Sequence, residues 1–198
     1  MLEVLLSVRS WTVPVCVLVL SLVLSLSLVG CGSDTGRARS DINSGDNMLI
    51  AVKAQDARLS TGINSLLDSV SKAIKSGKKP DAATFQKNAE AIRKDAEAVK
   101  SAEQKAASDY RDANKLTGAG DYAKYAALKL QSSELTLQGI DILEKYMTDG
   151  AAIVKAQPFN AEQFLQTSDS AGKALQEIGA KVDSLQKQAE SLRTSRKL

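Results

Sequence analysis

From Met48 to Leu198 apolar side chains recur at alternating steps of three and four residues, the pattern of helices that bury one face. The first segment puts Leu49, Val52, Leu59, Ile63, Leu66, Val70 and Ala73 on one stripe, broken by a charge at Asp56. The second carries Phe85, Ala89, Ile92, Ala96, Val99, Ala106, Tyr110 and Ala113, broken at Glu103. The third is broader: Tyr125, Leu128, Leu135, Ile142 and Tyr146 form one stripe, and Leu130, Leu137, Ile140 and Met147 a second beside it. It is expected to be the most buried, or to offer its second stripe to a partner. In the fourth, Phe164, Ala171, Leu175, Ile178, Val182, Leu185, Ala189 and Leu192 keep a sustained heptad.

Local stop and start signals separate these segments. Gly77-Lys78-Lys79-Pro80-Asp81 ends the first helix and supplies Asp81 as the acceptor for free amides of the second. Gly118-Ala119-Gly120-Asp121 is expected to do the same for the third. Pro158-Phe159-Asn160 ends the third, with Asn160 and Gln163 spaced as a capping box and Phe159 and Phe164 as a hydrophobic staple. Gly150 is a candidate kink or split near the end of the third helix. Short turns place successive helices antiparallel, so the sequence predicts an all-α, coiled-coil-like four-helix bundle, up-down-up-down, over 48–198. Helices of about 30 residues make it a rod about 45 Å long.

The chain before Met48 is different in kind. Trp11 to Val29 is Val, Leu and Ser with single Thr, Pro and Cys interruptions and no charge, and Arg9 precedes it. This is the make-up of a signal-peptide core, although about 18 to 20 apolar residues also suffice for an uncleaved membrane helix. The character changes sharply at Cys31. Gly32 to Asn47 holds Ile42 among Gly, Ser, Asp, Asn and Arg, and is expected to be a flexible coil with ends about 20 to 25 Å apart.

Leu28-Val29-Gly30-Cys31 resembles the lipobox of bacterial lipoprotein precursors, with an aliphatic residue, a small or aliphatic residue, Gly or Ala, then the lipidated cysteine. The resemblance implies cleavage between Gly30 and Cys31, a diacylglyceryl group on the Cys31 sulfur, and acylation, as by palmitate, of the new amino group. Two or more acyl chains hold a protein stably where one does not. The implied organisation is a signal peptide at 1–30, a lipidated N-terminus and linker at 31–47, and the bundle at 48–198. Glu3 makes the first ten residues less basic than the pattern favours, and a start near Val8 gives a cleaner signal. The resemblance implies the cell membrane or outer membrane as the location; Gly32 stands where an aspartate favours inner-membrane retention, which in a cell with an outer membrane leans to that one.

Composition narrows the chemistry. The two cysteines are Cys16 and Cys31, so processing leaves no pair for a disulfide, and the fold must rest on packing. Histidine is absent, which removes the commonest metal ligand and neutral-pH proton carrier. The net charge of +3 is spread along the chain instead of forming a nucleic-acid footprint. Arg193, Arg196 and Lys197 cluster where they suit a helix C-terminus, or could touch anionic lipid. No haem-attachment motif or Gly-rich phosphate loop occurs, and the alanine-rich second seam leaves little room for a cofactor.

A few residues depart from the pattern. Asp56 and Glu103 fall on seams, where they either contact a cationic ligand or escape, Asp56 at an open helix end and Glu103 by leaning out to solvent. Tyr110, Tyr125 and Tyr146 either ring a small site or are core residues with satisfied hydroxyls. Ser132 and Ser133 have no base to activate them, and no catalytic, cofactor or metal residue is assigned. The sequence therefore points to a non-enzymatic, membrane-anchored cell-envelope lipoprotein whose helices form an interaction or structural module with a protein partner in the envelope. The alternative is a small-ligand-binding or sensory accessory bundle.

Overall fold

The stripe that begins at Leu49 in the sequence reading begins much earlier in the molecule. The computed structural model describes residues 33–198, in which α1 (Ser33–Ala51) and α2 (Lys53–Lys75) are separated by one residue, Val52. The Val52 amide donates to Leu49 O at 3.3 Å and the Asp56 amide to Val52 O at 3.0 Å, so the two helices almost run together. Then follow α3 (Ala82–Asn114), a 3-10 turn (Thr117–Ala119), α4 (Asp121–Lys155) and α5 (Ala161–Arg196). The described residues are all-helical, with no strand among them.

Residues 33–47 are therefore helix and not the flexible linker expected of Gly32 to Asn47. The cause is a stripe of small residues. Ala38, Ile42, Gly45 and Leu49 continue, at steps of four and three, into Val52, Asp56 and Leu59, and Ala38, Ile42 and Gly45 are buried. They face an equally small surface on α3, where Ala106, Tyr110 and Ala113 are fully buried. Gly45 is required by this closeness: a Cβ there would lie 2.8 Å from Tyr110 Cε1 and 3.3 Å from Ala106 O. With Gly, Ser, Asn and Asp so frequent, α1 has weak intrinsic helix preference and owes its order to this packing.

Most of the expected caps are present. Asp81 Oδ1 accepts from the Thr84 amide at 2.7 Å, and Asn160 Oδ1 from the Gln163 amide at 3.0 Å. Phe159 packs on the cluster that contains Phe164. Gly77, at φ +68, takes the left-handed turn that lets the Lys78 amide reach Ala73 O at 2.9 Å and its own amide reach Ile74 O at 3.0 Å. The start of α4 differs from expectation. Gly120 occupies the cap position without a side-chain acceptor, and Asp121 instead pairs with Lys124 at 2.9 Å and Arg196 at 3.4 Å. Gly150 does not split α4, which runs unbroken through it; the missing Cβ makes room for the Phe85 ring.

α3 packs against α1, α2 and α4, and α5 packs on α4. Every seam residue expected on α3 is buried, Glu103 included. On α4, Ile140 and Met147 of the second stripe are buried and Leu130 and Leu137 half-buried, because α4 lies between α3 and α5. That stripe is core, not a free strip. On α5, Phe164, Ala171, Val182 and Ala189 are buried, while Leu175, Ile178, Leu185 and Leu192 are half-buried, Leu175 and Ile178 against Gly139 of α4. The core has two parts. One joins α2 and the adjoining stretches of α3, α4 and α5 around Leu66, Phe85, Tyr146 and Phe164. The other joins α1 to α3, α4 and α5 around Ile42, Tyr110, Tyr125 and Ala189.

Candidate functional site

Where the apolar clusters meet, the helices turn polar side chains inward. Along α3 the first cluster ends at Val99 and the second resumes at Ala106, with Glu103 between them. Along α4 the second ends at Ala126 and the first resumes at Ile140, with Ser132 and Ser133 buried between and Lys129 nearly so. α1 brings Asp46 to the same level and α2 brings Asp56.

The centre is an ion pair with a phenol on it. Lys129 Nζ lies 3.0 Å from Asp46 Oδ1, with side chains 11% and 24% exposed. The Tyr110 hydroxyl donates to the same oxygen at 2.6 Å, and Lys129 stands 5.5 Å over the Tyr110 ring. Burial, which alone would lower the Lys129 pKa, is outweighed by the charge of Asp46 with help from Tyr125 and Glu103, so the ammonium is held above its usual range. Burial, and then the charge of Asp46, push the Tyr110 phenol far above its ordinary value. It stays a neutral donor.

Glu103 is the unusual member. It is 9% exposed, one side of its carboxyl meets the Ser133 hydroxyl, and Oε2 is buried with no hydrogen-bond partner. Burial pushes its pKa up to about 7, against the opposing pulls of Ser133 and Lys129, and the charge of Asp56 adds to the rise. Burial also raises Asp56, to about 6. The neighbouring Gln55 Oε1 is buried without a partner as well. The junction thus combines one fixed ion pair with two carboxyls that exchange protons near neutrality.

Several sequence expectations need correction here. Glu103 does not lean out to solvent: it is buried, with Ser133 and Lys129 of α4 and Asp56 of α2 acting on its carboxyl. Asp56 is not at an open helix end, because α1 precedes α2 across the single residue Val52. The three tyrosines do not ring one site. Tyr110 and Tyr125 converge on Lys129, Tyr125 also meeting Arg193, whereas Tyr146 bonds Ser168 Oγ at 2.9 Å and stacks obliquely near Phe164 with centroids 6.3 Å apart. Burial raises Tyr146 to about 12. Their polar tips are satisfied, as the core-residue reading expected.

Asp46 and Lys129 were not singled out in the sequence, Asp46 because it fell in the expected linker. For Lys129 a signal existed: Tyr125, Lys129 and Ser133 are spaced four apart and share a helix face.

The lipobox at Leu28-Val29-Gly30-Cys31, the cleavage pair Gly30 and Cys31, and the apolar run before them lie outside the described residues. Among the described residues no helix is long and apolar enough to cross a membrane, and no group of three His, Cys, Asp or Glu is placed to hold a metal ion. Compared with models of known protein families, with curated proteins and with solved structures, the chain matches none.

Proposed function

We propose that the chain is a lipid-anchored, extracytoplasmic protein of the cell envelope, held in the cell membrane or outer membrane through Cys31, whose helices form a non-enzymatic interaction or structural rod. The observation that carries this reading is the boundary itself. An uncharged apolar run stops at Leu28-Val29-Gly30-Cys31, and the chain is already helical at Ser33, the first described residue. With the helix packed from Ala38 onward, a lipid on Cys31 would sit two residues from the described helix.

We read the arrangement as an up-down-up-down bundle in which α1 and α2 share one rod. Two sets of contacts support it. Lys79 Nζ donates to Ala156 O at 2.9 Å, bringing the α2–α3 turn beside the end of α4. The Gly118 amide donates to Asp34 Oδ2 at 3.3 Å, bringing the α3–α4 turn beside the start of α1. Antiparallel neighbours with short turns require this pairing of ends.

The test is metabolic labelling in the native cell with an alkyne-bearing fatty acid, followed by cross-linking and mass spectrometry of captured proteins. Label on the wild type that is lost in Cys31→Ser, together with a discrete envelope partner, is the expected result. Wild-type protein without label, still carrying residues 1–30, contradicts the anchor. A second reading, a ligand-binding or sensory bundle, draws on one observation: the orphaned Glu103 Oε2 beside Tyr110, Lys129 and Ser133. Thermal stabilisation by a panel of small organic cations, abolished in Glu103→Gln, would favour it.

A further inference from the structure

We propose that the end of the rod formed by the start of α1, the α3–α4 turn and the end of α5 is a seat for anionic lipid headgroups of the bilayer that holds Cys31. The proposal rests on the lipid-anchor reading and adds to it a second, non-covalent contact with the same membrane. Distance is the first argument. Cys31 precedes Ser33 by two residues, and two residues reach at most about 7 Å. Because Asp34 accepts from the Gly118 amide, whatever holds Cys31 also lies close to the α3–α4 turn. Leu198 and Leu116 pack into the same cluster as Ala38, and Arg196 pairs with Asp121, so the end of α5 belongs to this face.

Charge is the second argument. Lys115, Lys124 and Arg196 project here with side chains 67%, 71% and 61% exposed, beside exposed Arg37 and Lys197. The acids of the same face are already partnered, Asp34 by the Gly118 amide, Asp112 by Lys115, and Asp121 by Lys124 and Arg196, which leaves the excess charge on the basic side. Arg37 and Lys197 have no ion pair among the described residues. Long basic side chains at an interface spread their stems along it and set their heads among phosphates. Lys78 and Lys79 give the far turn a like charge, so charge alone does not choose the end; the anchor does.

The test uses the full, lipidated protein in vesicles of phosphatidylcholine with or without phosphatidylglycerol, carrying a fluorophore on Thr117→Cys or Ser76→Cys and a quencher on the lipid headgroup. The account expects the label at position 117 to be quenched about threefold more strongly with phosphatidylglycerol. The difference should vanish in Arg37→Gln/Lys124→Gln/Lys197→Gln, whose helical signal is unchanged, and in high salt, while the label at position 76 stays unquenched. Equal quenching at position 117 in both lipids, or in the triple variant, overturns the seat. So does quenching at position 76 as strong as at 117, which describes a rod lying along the bilayer. Failure of the anchor reading looks different: the protein does not float with vesicles, and the fluorophore labels the chain without an introduced cysteine, through Cys16 and Cys31.

Discussion

Tyr110 donates its phenolic hydrogen to Asp46 Oδ1 across 2.6 Å, and this bond between α3 and α1 lies where Gly45 lets the ring rest against the helix backbone. The same carboxylate holds Lys129 of α4. One acid thus ties three helices together, on a segment whose composition alone argues for a coil.

Removing different parts of this junction should cost different amounts. Tyr110→Phe leaves the ion pair intact and is expected to destabilise by about 2 kcal/mol, the worth of a hydrogen bond to a charged group. Asp46→Ala strands Lys129 and is expected to cost about 3 to 5 kcal/mol. In Asp46→Ala/Lys129→Met no charge remains unpaired, so the double change should cost less than Asp46→Ala alone. Urea unfolding of the three variants checks the order. Equal stability of all three and the wild type would mean that α1 is not docked on Tyr110.

Two glycines of α1 make a matched pair. Gly45→Ala forces a methyl into the Tyr110 ring and should cost about 1 to 3 kcal/mol. Gly36→Ala meets nothing within 4 Å and should stabilise by about 1 kcal/mol through helix preference. Thermal denaturation of the two should therefore move in opposite directions from the wild type.

Glu103 makes stability depend on pH in a defined sense. Its folded pKa of about 7 lies above the ordinary value of 4.5, so the folded state holds its proton more tightly than the unfolded chain. The stability linked to it is complete below 4.5 and is lost as pH rises towards 7, by roughly 3 kcal/mol in the limit of full burial. Asp56, raised to about 6 and more exposed to water, adds a smaller loss of the same sign. Urea titrations across this window should show stability falling as pH rises, and Glu103→Gln should flatten most of the slope. An unchanged slope in that variant would place the titrating group elsewhere.

The second stripe of α4 is internal at Ile140, which is 5% exposed. Ile140→Ser creates a cavity and buries a hydroxyl, and should destabilise by about 3 kcal/mol or more, whereas Leu137→Ser, at a half-buried site, should cost clearly less. If Ile140→Ser left the unfolding midpoint unchanged, the stripe would be a surface after all.

Much of this was legible in the sequence, for reasons that differ along the chain. The α3 seam was readable from Phe85 to Ala113 because an alanine-rich stripe still keeps its period when larger residues mark it. Asp81 and Asn160 were readable as caps because a cap acts on an amide three residues away. The same period marked Glu103 as a residue out of place, but only packing could show that it is buried against Ser133 and Lys129. α1 itself was hidden because its inward positions are Ala38, Ile42 and Gly45, which read as polar linker when hydrophobicity is the signal. Asp46 could not be paired with Tyr110 from spacing, since 64 residues separate them.

The most direct test of the account is hydrogen exchange, followed by mass spectrometry, on the full chain, read over residues 34–47. The account predicts protection there comparable with α3, and its selective loss in Asp46→Ala while α3 to α5 remain protected. Exchange of 34–47 at the rate of an unstructured chain in the wild type would contradict it, making that segment a free tether.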